Sequence, residues 1–195
     1  MKKKILVLVG HPDSESLNVR FGDAYAVGAR ERGHEVKRVN LGDLKFDPIL
    51  HKGYKVIQEL EPDLKQLQED IKWSNHFVII YPSWWSTMPA LLKGLFDRIW
   101  MPGFAFHFDH GGITHGFMWH GMLKGCTARV FVTSDSPAFL ARVIFGDTTN
   151  EIKKGILWFA GFKVSVTKVG GLKNAKDNKK DALVRRFKAW GKIAF

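Results

Sequence analysis

The sequence predicts an α/β fold: a doubly wound, five-stranded parallel sheet in the order 2-1-3-4-5, with helices on both faces and a single domain spanning residues 1–195. Three observations carry this prediction. Short runs of β-branched and leucine residues alternate with longer segments whose apolar residues recur at three and four residue intervals. The central runs are apolar without alternation, as strands covered on both faces require. A chain of 195 residues with 45% hydrophobic content is long enough for one well-buried domain and short for two.

Taken in order, Lys4 to Gly10 reads as a central strand. A helix begins near Ser16 and runs through Ala24, Val27 and Gly28 to a stop at Gly33, a residue typical just past a helix end. Glu35 to Leu41, which alternates valines with charges, suits a strand nearer an edge, and Gly42 to Tyr54 reads as a loop. Pro62 to Trp73 places Leu64, Leu67 and Ile71 on one helical face. His76 to Tyr81 is a third strand, and after a short loop Pro89 opens a helix carrying Leu91, Leu92, Leu95, Phe96 and Ile99, with Ser86 or Thr87 as its cap. Met101 to Gly125 has no clean period and reads as a long loop rich in glycine, histidine and aromatics. Thr127 to Thr133 is a fourth strand, Asn150 to Phe159 a helix capped by Thr149 or Asn150, and Phe162 to Val169 a fifth strand. A last helix carries Leu183, Phe187 and Trp190 on one stripe.

Composition narrows the function. The net charge of +11 is spread through the chain, no nucleic-acid motif accompanies it, and a basic surface that attracts anionic cofactors accounts for it equally well. Cys126 is the only cysteine, so no internal disulfide forms, which fits a reducing compartment. The apolar start is too short for a signal peptide and lacks a cleavage pattern. No stretch approaches the ~20 apolar residues of a membrane span. These features point to a cytoplasmic protein. His107, His110, His115 and His120 match no zinc spacing, so they are expected to rim a pocket and no metal is expected.

Two loops carry the chemistry. In a sheet of this order, ligands sit beyond the carboxyl ends of the strands where the order reverses, here between the first and third strands. The loop after the first strand, His11-Pro-Asp-Ser-Glu-Ser-Leu-Asn18, has neither a dinucleotide fingerprint nor a nucleotide triphosphatase loop. It offers the hydroxyls of Ser14 and Ser16, the Asn18 amide and the free backbone donors of a helix amino terminus, a set that suits a phosphate; Ser14 or Ser16 capping its own helix is the competing reading. The loop after the third strand, Pro82-Ser83-Trp84-Trp85, presents two adjacent indoles that cannot both face one core. A planar aromatic ligand lying on this loop is the reading that uses both.

The segments Val9 to Asn18, Tyr81 to Trp85, Pro89 to Arg98, Gly103 to Phe106 and Gly155 to Phe162, in that order, resemble the flavodoxin-like NAD(P)H:quinone oxidoreductases. That family includes mammalian DT-diaphorase, bacterial drug-activity modulators and potassium-efflux ancillary proteins. The resemblance implies a flavodoxin-like fold and a non-covalent flavin, FAD or alternatively FMN, reduced by NADPH or NADH. It places the phosphates at His11, Ser16, Leu17 and Asn18, the ring on Pro82, Ser83, Trp84 and Trp85, and the closing side at Thr133, Ser134 and Asp135. It further implies a homodimer with the site at the subunit boundary, hydride transfer to flavin N5 and then to a quinone-like substrate, and a substrate pocket at Phe106, Phe139 and Phe145. The last two stand where mammalian members carry a tyrosine and a histidine, and Thr133-Ser-Asp-Ser136 replaces the usual Thr-Thr-Gly-Gly, adding a carboxylate near the ring. Azo and nitro aromatics are further acceptors. Two other classes compete: a flavin-binding ancillary subunit of a membrane transporter, and a one-electron carrier, which a charge of +11 disfavours.

Overall fold

The computed structural model describes residues 2–108 and 118–194. β1 (Lys4–Val9), α1 (Leu17–Glu31) and β2 (Glu35–Asn40) open the chain, followed by α2 (Pro62–Trp73), β3 (His76–Pro82) and α3 (Ala90–Ile99). Then come β4 (Phe106–Phe108), β5 (Trp119–Gly121), β6 (Thr127–Thr133), α4 (Ala138–Phe145), a π-helical segment Glu151–Trp158, β7 (Lys163–Val169) and α5 (Asp177–Ile193). The main sheet runs β2-β1-β3-β6-β7 with every pairing parallel, which is the predicted doubly wound order.

Alternation along the strands divides the core in two. Leu6, Leu8, Phe77, Ile79, Val130 and Val132 face the layer built by α2, α3 and the π-helical segment. Ile5, Val7, Val78, Ile80 and Phe131 face α1 and α5, where Phe21 and Phe187 stack at 4.3 Å. The two helices on that side touch backbone to backbone: a Cβ built at Gly191 would stand 2.1 Å from the carbonyl oxygen of Tyr25. No side chain fits there, so glycine is a packing requirement at this crossing.

Three expectations are corrected. The segment read as an unbroken loop from Met101 to Gly125 contains the antiparallel hairpin β4–β5, in which Phe106 pairs with Gly121 and Phe108 with Trp119. Three residues per strand give too short an alternation to read as a period. α4 falls in a stretch left without an element, although Pro137 precedes it and Gly146, at φ 73°, closes it. The caps differ as well. α3 begins at Pro89 with no side-chain cap, and Thr87 donates instead to Glu151 Oε2 at 2.5 Å. At the π-helical segment neither Thr149 nor Asn150 caps by side chain; Asp147 Oδ1 accepts from the Thr149 backbone N–H at 3.1 Å and from its hydroxyl at 2.7 Å.

Candidate functional site

The carboxyl ends of β1, β3 and β6 form one continuous rim. The Gly10 N–H donates to the Ile80 carbonyl at 2.8 Å, and the Ser83 N–H donates to the Thr133 carbonyl at 2.7 Å. Across the rim, the Thr133 hydroxyl donates to Asn18 Oδ1 at 3.0 Å, with both residues buried. The His11 ring meets Trp84 edge to face at 5.5 Å. The loops that sequence reading placed together are therefore joined by direct contacts, and Thr133 ties all three.

The first loop is shaped by its own side chains. Asp13 accepts from the Glu15 N–H at 2.9 Å, and the Asp13 N–H donates to His11 Nδ1 at 2.9 Å. The same nitrogen lies 3.2 Å from the Asp13 carbonyl, so the ring is held against the backbone of its own loop. Ser16 occupies the N-cap position of α1 but makes no capping bond, and its hydroxyl oxygen is buried without a partner. This removes the reading in which Ser16 caps its own helix. A buried hydroxyl without an acceptor or donor is costly, and here it stands beside the first-turn N–H groups of Leu17 and Asn18, which have no intrahelical acceptor. Those three donors and the partial positive end of the helix fit a phosphate.

The tryptophan loop is a two-residue turn. Trp84 N–H donates to the Thr87 carbonyl at 2.9 Å and Thr87 N–H donates back at 3.1 Å, while Trp85 and Ser86 sit between them at φ 50° and 67°. Turns of this kind favour Asn-Gly, since both central residues adopt left-handed φ. Non-glycine residues there carry strain of roughly 1–2 kcal/mol each, and such strain gathers at functional sites. Its result is that the Trp85 side chain is 99% exposed beside the half-exposed Trp84. Beneath, the Tyr81 hydroxyl has its pKa raised by burial and then by the charges of Glu151 and Asp147.

Thr133 is buried, Ser134 bonds its hydroxyl to the Ser136 carbonyl at 2.8 Å, and Asp135 is exposed. Pro82 ends β3 and is buried. The three substrate-pocket residues are not gathered within one chain. Phe106 lies in a groove of about 320 Å³ with Tyr54, Phe96, Trp100 and Phe159. Phe139 lies in another of about 540 Å³ with Arg142, Lys153 and Lys168, and Phe145 is exposed at the end of α4. His107 and His120 stack across the hairpin with centroids 6.0 Å apart, while His110 and His115 lie outside the described residues. Cys126 is partly buried, and burial raises its thiol pKa. The contact that joins Thr87 to Glu151 was not legible, because its partners are separated by 64 positions.

A parallel sheet with a helix amino terminus and an aromatic loop at its switch point defines an α/β protein built to hold an anionic, planar cofactor. The chain matches the family described by the flavodoxin-like fold over residues 3–193, and it belongs to that family as an oxidoreductase of the NAD(P)H:quinone oxidoreductase type. It is 28% identical over 187 residues to a ribosyldihydronicotinamide dehydrogenase-like protein of Penicillium crustosum, covering 83% of this chain and 70% of that one. It is 26% identical over 188 residues to human ribosyldihydronicotinamide dehydrogenase [quinone], covering 83% and 78%. The crystal structure of Smu.1420 from Streptococcus mutans superposes with a TM-score of 0.81 at 26% identity, over 99% of this chain and all of that one.

Proposed function

We propose that the protein is an NAD(P)H-dependent flavoenzyme that reduces quinones and related electrophiles, azo and nitro aromatics included, by two-electron ping-pong transfer. The observation that carries this reading is the orphaned Ser16 hydroxyl at a helix amino terminus, facing the rim on which Trp84 and Trp85 are held out by a strained turn. His11, Ser16, the Leu17 N–H and Asn18 would hold the phosphates, Pro82, Ser83, Trp84 and Trp85 would carry the ring, and Thr133, Ser134 and Asp135 would close it. A flavin held there would supply two-electron chemistry, hydride coming from NADPH or NADH and passing on to an electrophile that takes the donor's place. The chain's own contribution is orientation and electrostatics. The indoles would exclude water from one side of the ring, and the Asp135 carboxylate would oppose negative charge that develops on it, since the Ser134 N–H is already given to the Val169 carbonyl at 3.0 Å.

The protein acts as one domain and as a cytoplasmic homodimer. Phe106 lines a groove with Glu151, which accepts from Thr87 of the tryptophan turn, and a second copy would close the crevice over it, with Phe139 and Phe145 at its mouth. Initial rates of NADPH and NADH oxidation across a matrix of donor and benzoquinone concentrations test the reading. Parallel double-reciprocal lines support alternating occupancy of one site; intersecting lines, or no oxidation by flavin-loaded protein, overturn it.

A further inference from the structure

The turn that presents the two indoles is held by different parts of the chain along its length. Ahead of it the Ser83 N–H is given to the Thr133 carbonyl at 2.7 Å, and on its first limb Trp84 meets the His11 ring. On its second limb the Thr87 hydroxyl donates to Glu151 Oε2 at 2.5 Å, a distance typical of a hydroxyl bonded to a carboxylate and of the stronger class of hydrogen bond. Thr87 is the residue that closes the turn, since its N–H and carbonyl are both exchanged with Trp84. Between them Trp85 and Ser86 stand at φ 50° and 67°, a conformation that side chains with a Cβ leave when nothing holds them there.

Glu151 is placed to hold it. It is the first residue of the π-helical segment Glu151–Trp158, and its neighbour Ile152 is fully buried in the core, which fixes the backbone from which the carboxylate reaches out. π-helical turns are rare and gather at functional sites. Glu151 also lines the groove of about 320 Å³ that contains Phe106, Trp100 and Phe159. One side chain therefore touches both the turn that would carry a ring and the groove that opens beside it.

We propose that Glu151 is a positioning residue: through Thr87 it fixes the turn of Trp84 and Trp85, and with it the plane in which a ring lying on that turn meets a hydride donor or acceptor. The hold on the turn lies within one chain, so it stands whatever covers the turn in an assembly. The consequence for the ring rests on the proposed flavin chemistry. Reacting atoms must approach to ~3–3.5 Å in alignment, and a displacement of about 1 Å can cost on the order of a hundredfold in rate. Loss of the Thr87 bond should therefore fall on the rate of transfer more than on affinity, because the phosphates would be held on the other loop, from His11 to Asn18.

Amide hydrogen exchange of the flavin-free full chain, read residue by residue by NMR, tests the hold. Thr87→Val and Glu151→Ala should each speed exchange of the Trp84 and Thr87 N–H groups about tenfold, the effect of losing one hydrogen bond to a charged group, while Ile80 and Val130 in the sheet exchange as before. The double variant should exchange no faster than either single one, and Thr87→Ser, which keeps the hydroxyl, should match the parent in exchange. Parental exchange at Trp84 and Thr87 in either single variant overturns the proposal, as does a double variant in which the two effects multiply. Acceleration spread equally through the sheet also overturns it, because Glu151 would then be a general stabiliser. In flavin-loaded protein, stopped-flow reduction by NADPH should slow about tenfold in Thr87→Val and Glu151→Ala with flavin affinity changed by less than about threefold; a loss of affinity as large as the loss of rate overturns the positioning role. Protein that takes up no flavin would sink the flavin reading and leave the exchange rates to decide whether Glu151 holds the turn.

Discussion

Thr133→Val removes one hydroxyl and little else, since valine has nearly the same shape. The hydroxyl donates to Asn18 Oδ1 at 3.0 Å and lies 3.4 Å from the Tyr81 carbonyl, a distance at which little bonding remains. Both Thr133 and Asn18 are buried, so the variant leaves the Asn18 oxygen without a donor and without water. The penalty for an unsatisfied buried acceptor is about 1–3 kcal/mol. With a urea slope of roughly 1–3 kcal/mol/M for a small protein, the unfolding midpoint should fall by about 1 M with the slope unchanged. Asn18→Ala combined with Thr133→Val closes a double-mutant cycle, whose coupling should lie near 0.5–3 kcal/mol. Asn18→Ala should weaken flavin uptake by roughly 0.5–3 kcal/mol, and Thr133→Val by less, because the Asn18 amide remains. A midpoint within error of the parent, or a coupling of zero, would refute the claim that this bond joins the first and third loops.

Three other outcomes are expected. His76 is fully buried between the Tyr25 hydroxyl and the Thr127 hydroxyl, and burial, reinforced by nearby Lys3, Arg129 and His34, lowers its pKa to about 3. The folded state therefore refuses a proton that the unfolded chain accepts below about pH 6.5. Its contribution to stability is complete above that pH and falls by about 1.4 kcal/mol per unit as the pH drops toward 3; an imidazole resonance of His76 that titrates near pH 6.5 would disprove the assignment. Gly191→Ala should cost about 1–3 kcal/mol, a fall in Tm of about 2–12 °C, because its Cβ would meet the Tyr25 carbonyl; unchanged melting would mean that α1 and α5 are not packed so closely. Trp85→Ala should leave the melting curve of the flavin-free protein nearly unchanged, since the indole is exposed, yet lose ~0.5–1.5 kcal/mol of flavin affinity from stacking; equal affinity would return Trp85 to the role of a surface residue.

The sheet order was legible because β1, β3 and β6 are continuous apolar runs and the segments between them keep helical spacing. The meeting of His11 to Asn18 with the tryptophan loop followed from topology alone, and the structure adds the contacts that make it, from Asn18 to Thr133 and from His11 to Trp84. α4 was missed for a physical reason. Phe139, Leu140, Val143 and Ile144 do recur at helical spacing, but the helix has only eight residues, shorter than the window over which such a period is read. Pro137 and Gly146 were the available signals. The hairpin at Phe106 and the left-handed turn at Trp85 and Ser86 were hidden similarly, the first by brevity and the second because its residues are not those such turns favour.

The central claim is that this rim holds a flavin, and the most direct measurement is the visible spectrum of the purified protein with the mass of the cofactor released on denaturation. Protein that is yellow as isolated, or that takes up one equivalent of FAD or FMN with quenching of Trp84 and Trp85 fluorescence and a rise in Tm, is what the account predicts. Protein that stays colourless in excess FAD and excess FMN, with unchanged fluorescence and Tm, would contradict it.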